Sequence, residues 1–500
     1  MATPTHDDVR DFAGDFNLKS IVIHNHAGEG FDSSQRGVDI KKLVVEFNIY
    51  ESIYKSAITG SIVIADTINL IGRLPIQGTE RLSFKLATPG AHADEHLIDC
   101  TERTGHPMHI YKLTDKQQTS EGQQTYTLHF CSREFLRNMR TKVSQTYSGT
   151  FDTMVQSIFQ DKDYLDSRKT LFSEKTRNQD KITIPNLNPF AAIELISRRS
   201  LADERNGAGY HFYETSKGFH FRSFESMCTE KNGQPRDIKQ VFRYFMGKMV
   251  DENLIPEKGE SEATKIRHDY TNVEQYRFIN NFHDVAANTA LGTYGHRVIT
   301  HNIFDKSYKI DDYNYHDYFN DTKHTDKGFN NYAIVDTPVD WDTKDKGEGN
   351  KGVSDYPESR VTLQPTTRFS HDEGTGAFGI DVSQDGIIEG ERTAQENQVH
   401  AGTKLQMTVK GQSYLQSGDL IEFQIRAVDA ENPEGDQDPQ YAGHYIITKI
   451  RHRVTDTDYV QVLECSKDSV RTRYASSRER TFYGIASSEN PKYTEINDLD

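Results

Sequence analysis

The chain has 500 residues and a formal net charge of −16, with a mean hydropathy of −0.75. Such acidity works against general binding to nucleic acid or to an anionic membrane, because it raises the electrostatic cost of approach, and the length asks for roughly three or four domains rather than one core. Aromatic residues make up 10% of the chain, with 26 Phe and 25 Tyr, which excludes a disordered polymer and points to several small domains stiffened by aromatic-rich strands.

In chain order, KKLVVEFNIYES alternates, with Leu43, Val45, Phe47 and Ile49 on one face and Val44, Glu46, Asn48 and Tyr50 on the other. That period of two predicts a half-buried antiparallel strand. TGSIVIAD follows, its Ile62-Val63-Ile64 run predicting a strand covered on both faces. One helical turn is expected before Pro75 in DTINLIGRLPIQG. RLSFKL and QTYTLHF alternate again, through Leu82, Phe84 and Leu86, and through Tyr126, Leu128 and Phe130. Residues 18–131 therefore read as one antiparallel β domain, a barrel or a sandwich.

The period changes after Cys131. SREFLRNMRTKV and TFDTMVQSIFQ read as helices; in the second, Phe151, Met154, Val155, Ile158 and Phe159 recur at helical spacing. A third helix is expected from Asn188 as N-cap and Pro189 at the first position to a stop at Gly207. GYHFYETSKGFHFRSF then reads as a hairpin turning at Ser216-Lys217-Gly218. Residues 132–245 form an α+β domain on this reading. A second β domain takes 246–320 and 403–470, with strands near EQYRFINNFH, GTYGHRVITHNIF, KLQMTVKG, DLIEFQI, GHYIITKIRHRV and DYVQVLEC. Residues 321–402 are polar and weakly periodic. They are too long for a plain loop and read as an inserted subdomain or excursion. Residues 471–500 read as a polar tail.

Three motifs invite a chemical reading. HADEH matches H-x-x-E-H, in which His92 and His96 would bind zinc and Glu95 would polarise a water. It lies between two expected strands and just after Pro89 and Gly90, where the required helix has no support, so a solvated loop is the expectation and a zinc hydrolase the alternative. GTGAFG, Gly374 to Gly379, lacks the strand before and the helix after that a phosphate site needs. DVSQDG, from Asp381, would place Arg392 where a calcium loop requires Glu. Cys100, Cys131, Cys228 and Cys465 stand at no metal or redox spacing and read as buried small hydrophobes. MATPTHDDVRDFAGDF has no basic n-region or apolar h-region, so no secretory signal is expected. No apolar run approaches the ~18 residues of a membrane helix. With no elbow serine and no phosphate loop either, the expectation is a non-enzymatic protein without a cofactor.

The segment IYESIYKSAITGSIVIADTINLIGRLPIQGTERLSF resembles the first β domain of the central baseplate hub proteins of T4-type contractile-tailed phages. FHFRSFESM, NTALGTYGHRVITHNIFDKSYK and QSGDLIEFQI…YAGHYIITKIRHRV…YVQVLECSKDSV resemble later parts of the same family, in the same order. The last of these is shared with phage late-control proteins and with the N-terminal half of type VI secretion spikes. The resemblance covers roughly residues 18–320 and 403–470 and implies two tail-tube-like antiparallel β-barrel domains, with 321–402 inserted in the second. It implies a homotrimer in the virion tail, assembled in the host cytoplasm. That trimer would join a sixfold tail tube and other baseplate proteins to a separately encoded trimeric spike, while DNA passes through unbound. After Val470 the sequence has no glycine-and-valine needle repeat. That absence favours a separately encoded spike over the second alternative, the hub half of a secretion or injection spike. Glu46, Asn48, Glu422 and Gln424, on the polar faces of their strands, are the candidate lumen residues.

Overall fold

The computed structural model describes residues 13–25, 37–74, 76–89, 97–177, 179–203, 207–229, 236–244, 269–280, 284–302, 306–326, 353–366, 370–371, 378–379, 386–427, 437–438 and 440–470. Among them the chain is mainly antiparallel β with an α+β part, as the sequence leads one to expect. The alternating segments do not build two separate sheets, however. They join in one fourteen-stranded sheet. The seam lies where Val44–Ser52 of the N-terminal unit pairs antiparallel with Gly443–Thr455 of the C-terminal one, from Lys449↔Ser52 to Thr455↔Glu46.

On the N-terminal side the order continues through Thr59–Asp66, Gln123–Cys131, Met108–Ser120, Arg81–Ala87 and Asn17–His24 to the short Val38–Asp39. The strip curls on itself. The rings of Phe47, Phe84 and Phe130, from three different strands, meet with centroids 4.9, 5.7 and 5.8 Å apart. Room for Phe130 depends on Gly60, where a Cβ would fall 2.0 Å from the ring. Register differs from the simple alternation at one point. A bulge between Val44 and Glu46 shifts the phase, so Val44 is buried and Val45, expected beside Phe47, is 49% exposed. Ile62 and Ile64 are buried and Val63 is half-buried, so that strand is less covered than its apolar run suggests.

On the C-terminal side the strands run Val273–Asn280, Thr403–Lys410, Tyr459–Lys467, Gly443–Thr455, Leu420–Ile425 and Val241–Tyr244. A single parallel bridge, Arg243↔Asn272, returns the last to the start of the first. Phe242, Met407, Phe423, Tyr445 and Leu463 fill the interior. The strand order of this unit thus comes round to that one bridge, whereas the described pairings leave the N-terminal strip open and use its edge strand for the seam.

The middle unit packs Phe151–Gln160 and Pro189–Ser197 on a three-stranded sheet of Leu171–Ser173, Tyr210–Thr215 and Gly218–Ser223. All five residues singled out in the first helix are buried. The second stops at Ser197, well before Gly207. The Ser197 and Ser200 hydroxyls donate to the carbonyls of Glu194 and Ile196, ending the ladder with side chains.

Gly295–Asn302, the GTYGHRVITHNIF strand of the expected second β domain, and Ser307–Asn314 do not pair with the main sheet. They form a separate sheet with Val361–Thr366 from within the insertion. The reason is the helix Gly386–Ala401, which has no counterpart in the sequence reading. It covers Val298 and Tyr313, and Gly390 lets the Tyr313 ring come within 2.3 Å of where a Cβ would sit. The opposite face of this small sheet exposes Tyr308, Ile310, Val361 and Leu363, the last at 67%.

Candidate functional site: the seam and its polar face

Along the main sheet, one face packs inward through residues such as Phe47, Ile450, Val454 and Leu405. The other is polar, and all four candidate lumen residues lie there in bonded pairs across or along strands. At the seam, Arg451 donates from Nη2 to Glu46 Oε1 at 2.9 Å and from Nε to Asn48 Oδ1 at 2.9 Å. Arg453 donates from Nε to Glu46 Oε2 at 3.1 Å, and the Asn48 amide donates to Glu46 Oε1 at 2.8 Å. Burial works against the Glu46 carboxylate, but the Asn48 amide and the two guanidiniums outweigh it and hold Glu46 below the usual carboxylate range. Asn48 is 2% exposed, because the arginine stems and Ser61 on the next strand cover it. It lies on the polar face yet is buried there.

Glu422 and Gln424 repeat the construction in the C-terminal unit. The Gln424 amide donates to Glu422 Oε1 at 3.2 Å, and Arg243 Nε on the neighbouring parallel strand donates to Gln424 Oε1 at 2.9 Å. In both places an acid and an amide two residues apart are hydrogen-bonded to each other; at the seam Arg451 reaches both, whereas Arg243 reaches the amide alone. Between the two clusters, Lys449 donates to both Glu464 oxygens at 2.9 Å and Arg277 donates to Gln406 at 2.5 Å. The face thus carries many basic side chains, but they are engaged by acids and amides of the same sheet.

His92, Glu95 and His96 lie outside the described residues, as do Gly374 to Ala377 and Asp381 to Asp385 of the other two motifs. Phe378–Gly379 forms a two-residue strand with Ser370–His371, and Gly386 opens the helix already described. Among the described residues no three His, Cys, Asp or Glu side chains gather as metal ligands, and no helix is long and apolar enough to cross a membrane. All four cysteines are buried free thiols; burial pushes Cys100 and Cys131 up to about 12, so neither is poised as a nucleophile.

Sequence reasoning missed a set of buried charges between units. Lys169 donates to Glu214 at 2.5 Å and to Glu134 at 3.1 Å, and Glu214 also accepts from the Ile58 amide at 2.8 Å. Burial disfavours the ammonium, but the two carboxylates prevail and keep Lys169 charged. His324 faces Asp468 at 2.7 Å, tying the start of the insertion to the end of Tyr459–Lys467. These partners are far apart in sequence, and no local spacing announces them.

No family model matches the chain. The probable baseplate hub protein gp334 of Vibrio phage KVP40 is 20% identical over 447 residues, which is 87% of this chain and 93% of that protein. The tail protein from Neisseria meningitidis MC58 is similar in structure at 9% identity and a TM-score of 0.47, covering 90% of this chain and 96% of its own. The 43 kDa tail protein of prophage MuSo2 from Shewanella oneidensis gives 9% identity and 0.46, covering 90% and 99%. The E. coli c3393 protein, a component of the type VI secretion system, gives 10% and 0.37, covering 87% and 76%. The residues that resemble hub proteins and the match along most of both chains agree: the chain is similar to a probable baseplate hub protein of a phage.

Proposed function

We propose that the chain is the structural hub of a phage tail baseplate, and that three copies close a ring between the sixfold tail tube and a separately encoded trimeric spike. The observation that carries this reading is the match to a baseplate hub protein over 87% of the chain. The fourteen-stranded sheet supports it physically. A sheet that long with an apolar inner face and a polar outer face is suited to be a wall, and a closed ring pairs or covers the edges it would otherwise expose. The tube-like units would be residues 18–131 and the strands of 241–280 with 403–467, giving six similar wall segments in three copies.

On this reading Glu46, Asn48, Glu422 and Gln424 line the channel. Arginines already held by carboxylates and amides offer little to passing phosphates, so DNA would cross without being retained. No residue is assigned a catalytic role, and the protein would act in the virion tail. Native mass spectrometry of the purified chain, alone and with the spike of the same virus, tests the assembly. The expected species is a trimer near three times 57.1 kDa. A protein that stays monomeric with its spike present would overturn the hub reading.

A further inference from the structure

Glu51, near the end of the seam strand Val44–Ser52, is 2% exposed. Its Oε1 accepts the Ser216 amide at 3.1 Å and its Oε2 the Ser417 amide at 3.3 Å. Ser216 lies in the hairpin turn of the middle unit, and Ser417 in the loop before Leu420–Ile425 of the C-terminal unit. One carboxyl group therefore touches all three units.

No cation among the described residues reaches it. Lys169 is held by Glu134 and Glu214. Arg236 lies 3.8 Å from Asp419 and donates to the Gly418 carbonyl, and Arg222 donates to the Tyr213 hydroxyl at 2.8 Å. The acids that face it are Asp419 from the loop and Glu214 from the hairpin, and the remaining titratable neighbours, Tyr459 and Cys100, are themselves held neutral by burial. Burial first, then Asp419 and Glu214, push Glu51 up to about 8 against its two backbone hydrogen bonds.

We propose that Glu51 is a proton-dependent latch, which holds the three units together while protonated and loosens their junction when it ionises. The inference does not rest on the hub reading. When the junction opens, Glu51 returns to water and ionises in the ordinary range, near 4.5. The closed form is then favoured at acid pH. The opening constant rises by at most about tenfold per pH unit between the two values and levels off above the higher one.

Hydrogen exchange read by mass spectrometry tests this on the full chain. The peptides containing Ser216 and Ser417 are followed from about pH 5 to about pH 8.5, with the intrinsic base-catalysed rate divided out. In the wild type the opening constants of both peptides should rise together, by about a hundredfold or more. In Glu51→Gln, which keeps a neutral group of the same shape, they should be flat. Equal pH dependence in wild type and variant would overturn the latch. The wild type also decides alone if the variant does not fold: two peptides that lose protection at different pH values are not held by one group.

Discussion

Thr88 and Ser413 hydrogen-bond each other twice: the Thr88 amide donates to Ser413 Oγ at 2.9 Å, and the Ser413 amide donates to Thr88 Oγ1 at 2.9 Å. They are 325 residues apart in the chain. A second reciprocal pair lies alongside, where the Gln412 amide donates to Gln461 Oε1 and Gln461 Nε2 donates to the Gln412 carbonyl, both at 2.9 Å. Thr88 and Ser413 thus dock the two β units by matched polar groups as well as by strand pairing, and Gln412 with Gln461 fixes the loop that carries Ser413.

Thr88→Val keeps the side-chain shape but leaves the buried Ser413 amide without its acceptor. We expect a loss of about 1–3 kcal/mol in chemical denaturation. Ser413→Ala should cost a similar amount, and the double variant clearly less than the sum, because each single change already breaks the exchange. Strict additivity would mean that the two bonds act independently.

Lys169→Met should be the most destabilising of the substitutions considered. It leaves Glu134 and Glu214 buried side by side with no cation, at side-chain exposures of 3% and 1%. Breaking a buried pair in this way costs about 3–5 kcal/mol. Replacing Lys169 and both acids with apolar residues should recover much of that loss, and a triple variant as unstable as the single one would contradict the explanation.

The His324–Asp468 pair predicts a pH window. Burial opposes the imidazolium, but Asp468 and the Phe319 carbonyl raise His324 above its ordinary 6.5. Its contribution is therefore complete below about 6.5 and is lost as pH rises through the elevated value. Burial opposes the Asp468 carboxylate too, but His324 and Thr325 lower it, so its contribution is present above about 3.8 and lost as pH falls through the depressed value. The difference in Tm between wild type and Asp468→Asn should be greatest in the mildly acidic range between those limits and shrink above neutrality. A difference that grows with rising pH would show that the pair is not charged in the way described.

Much of the fold could be read in the chain because period-two and helical patterns are local. The five apolar residues of Phe151–Gln160 needed only their own spacing. What escaped depends on partners. A strand with one face covered looks the same whether a main sheet or a local helix covers it, so sequence alone could not say that Gly295–Asn302 pairs outside the main sheet. Gly386–Ala401 was missed because its buried positions, Ala394 and Val399 among polar neighbours, make a weak stripe. The bulge at Val44–Glu46 exchanged the faces of Val44 and Val45, and nothing in the residues marks it. At the candidate site, strand alternation is enough to nominate Glu46 and Glu422 as polar positions, but not Arg451 or Arg243, whose contacts come from strands that sequence does not pair.

The last prediction concerns those arginines. Glu46 occupies Arg451 and Arg453 together, through both of its oxygens. Glu46→Gln removes the charge that neutralises them while leaving a group of the same shape. The pairs are partly exposed, so the stability cost should be small, about 1 kcal/mol or less. The electrostatic effect should be larger: two guanidiniums on the polar face become free to meet phosphate. If that face lines a channel for DNA, the wild type should bind a short DNA duplex negligibly in moderate salt. Glu46→Gln should bind measurably at low salt, with an affinity that falls steeply as salt rises, as counterion release requires. Adding Glu422→Gln should strengthen binding further by removing the negative charge beside Gln424, the residue that holds Arg243. A wild type that already binds DNA tightly at moderate salt would contradict the proposal that the acids keep the channel from holding its cargo. A variant pair that folds but shows no gain at any salt would place this face away from the lumen.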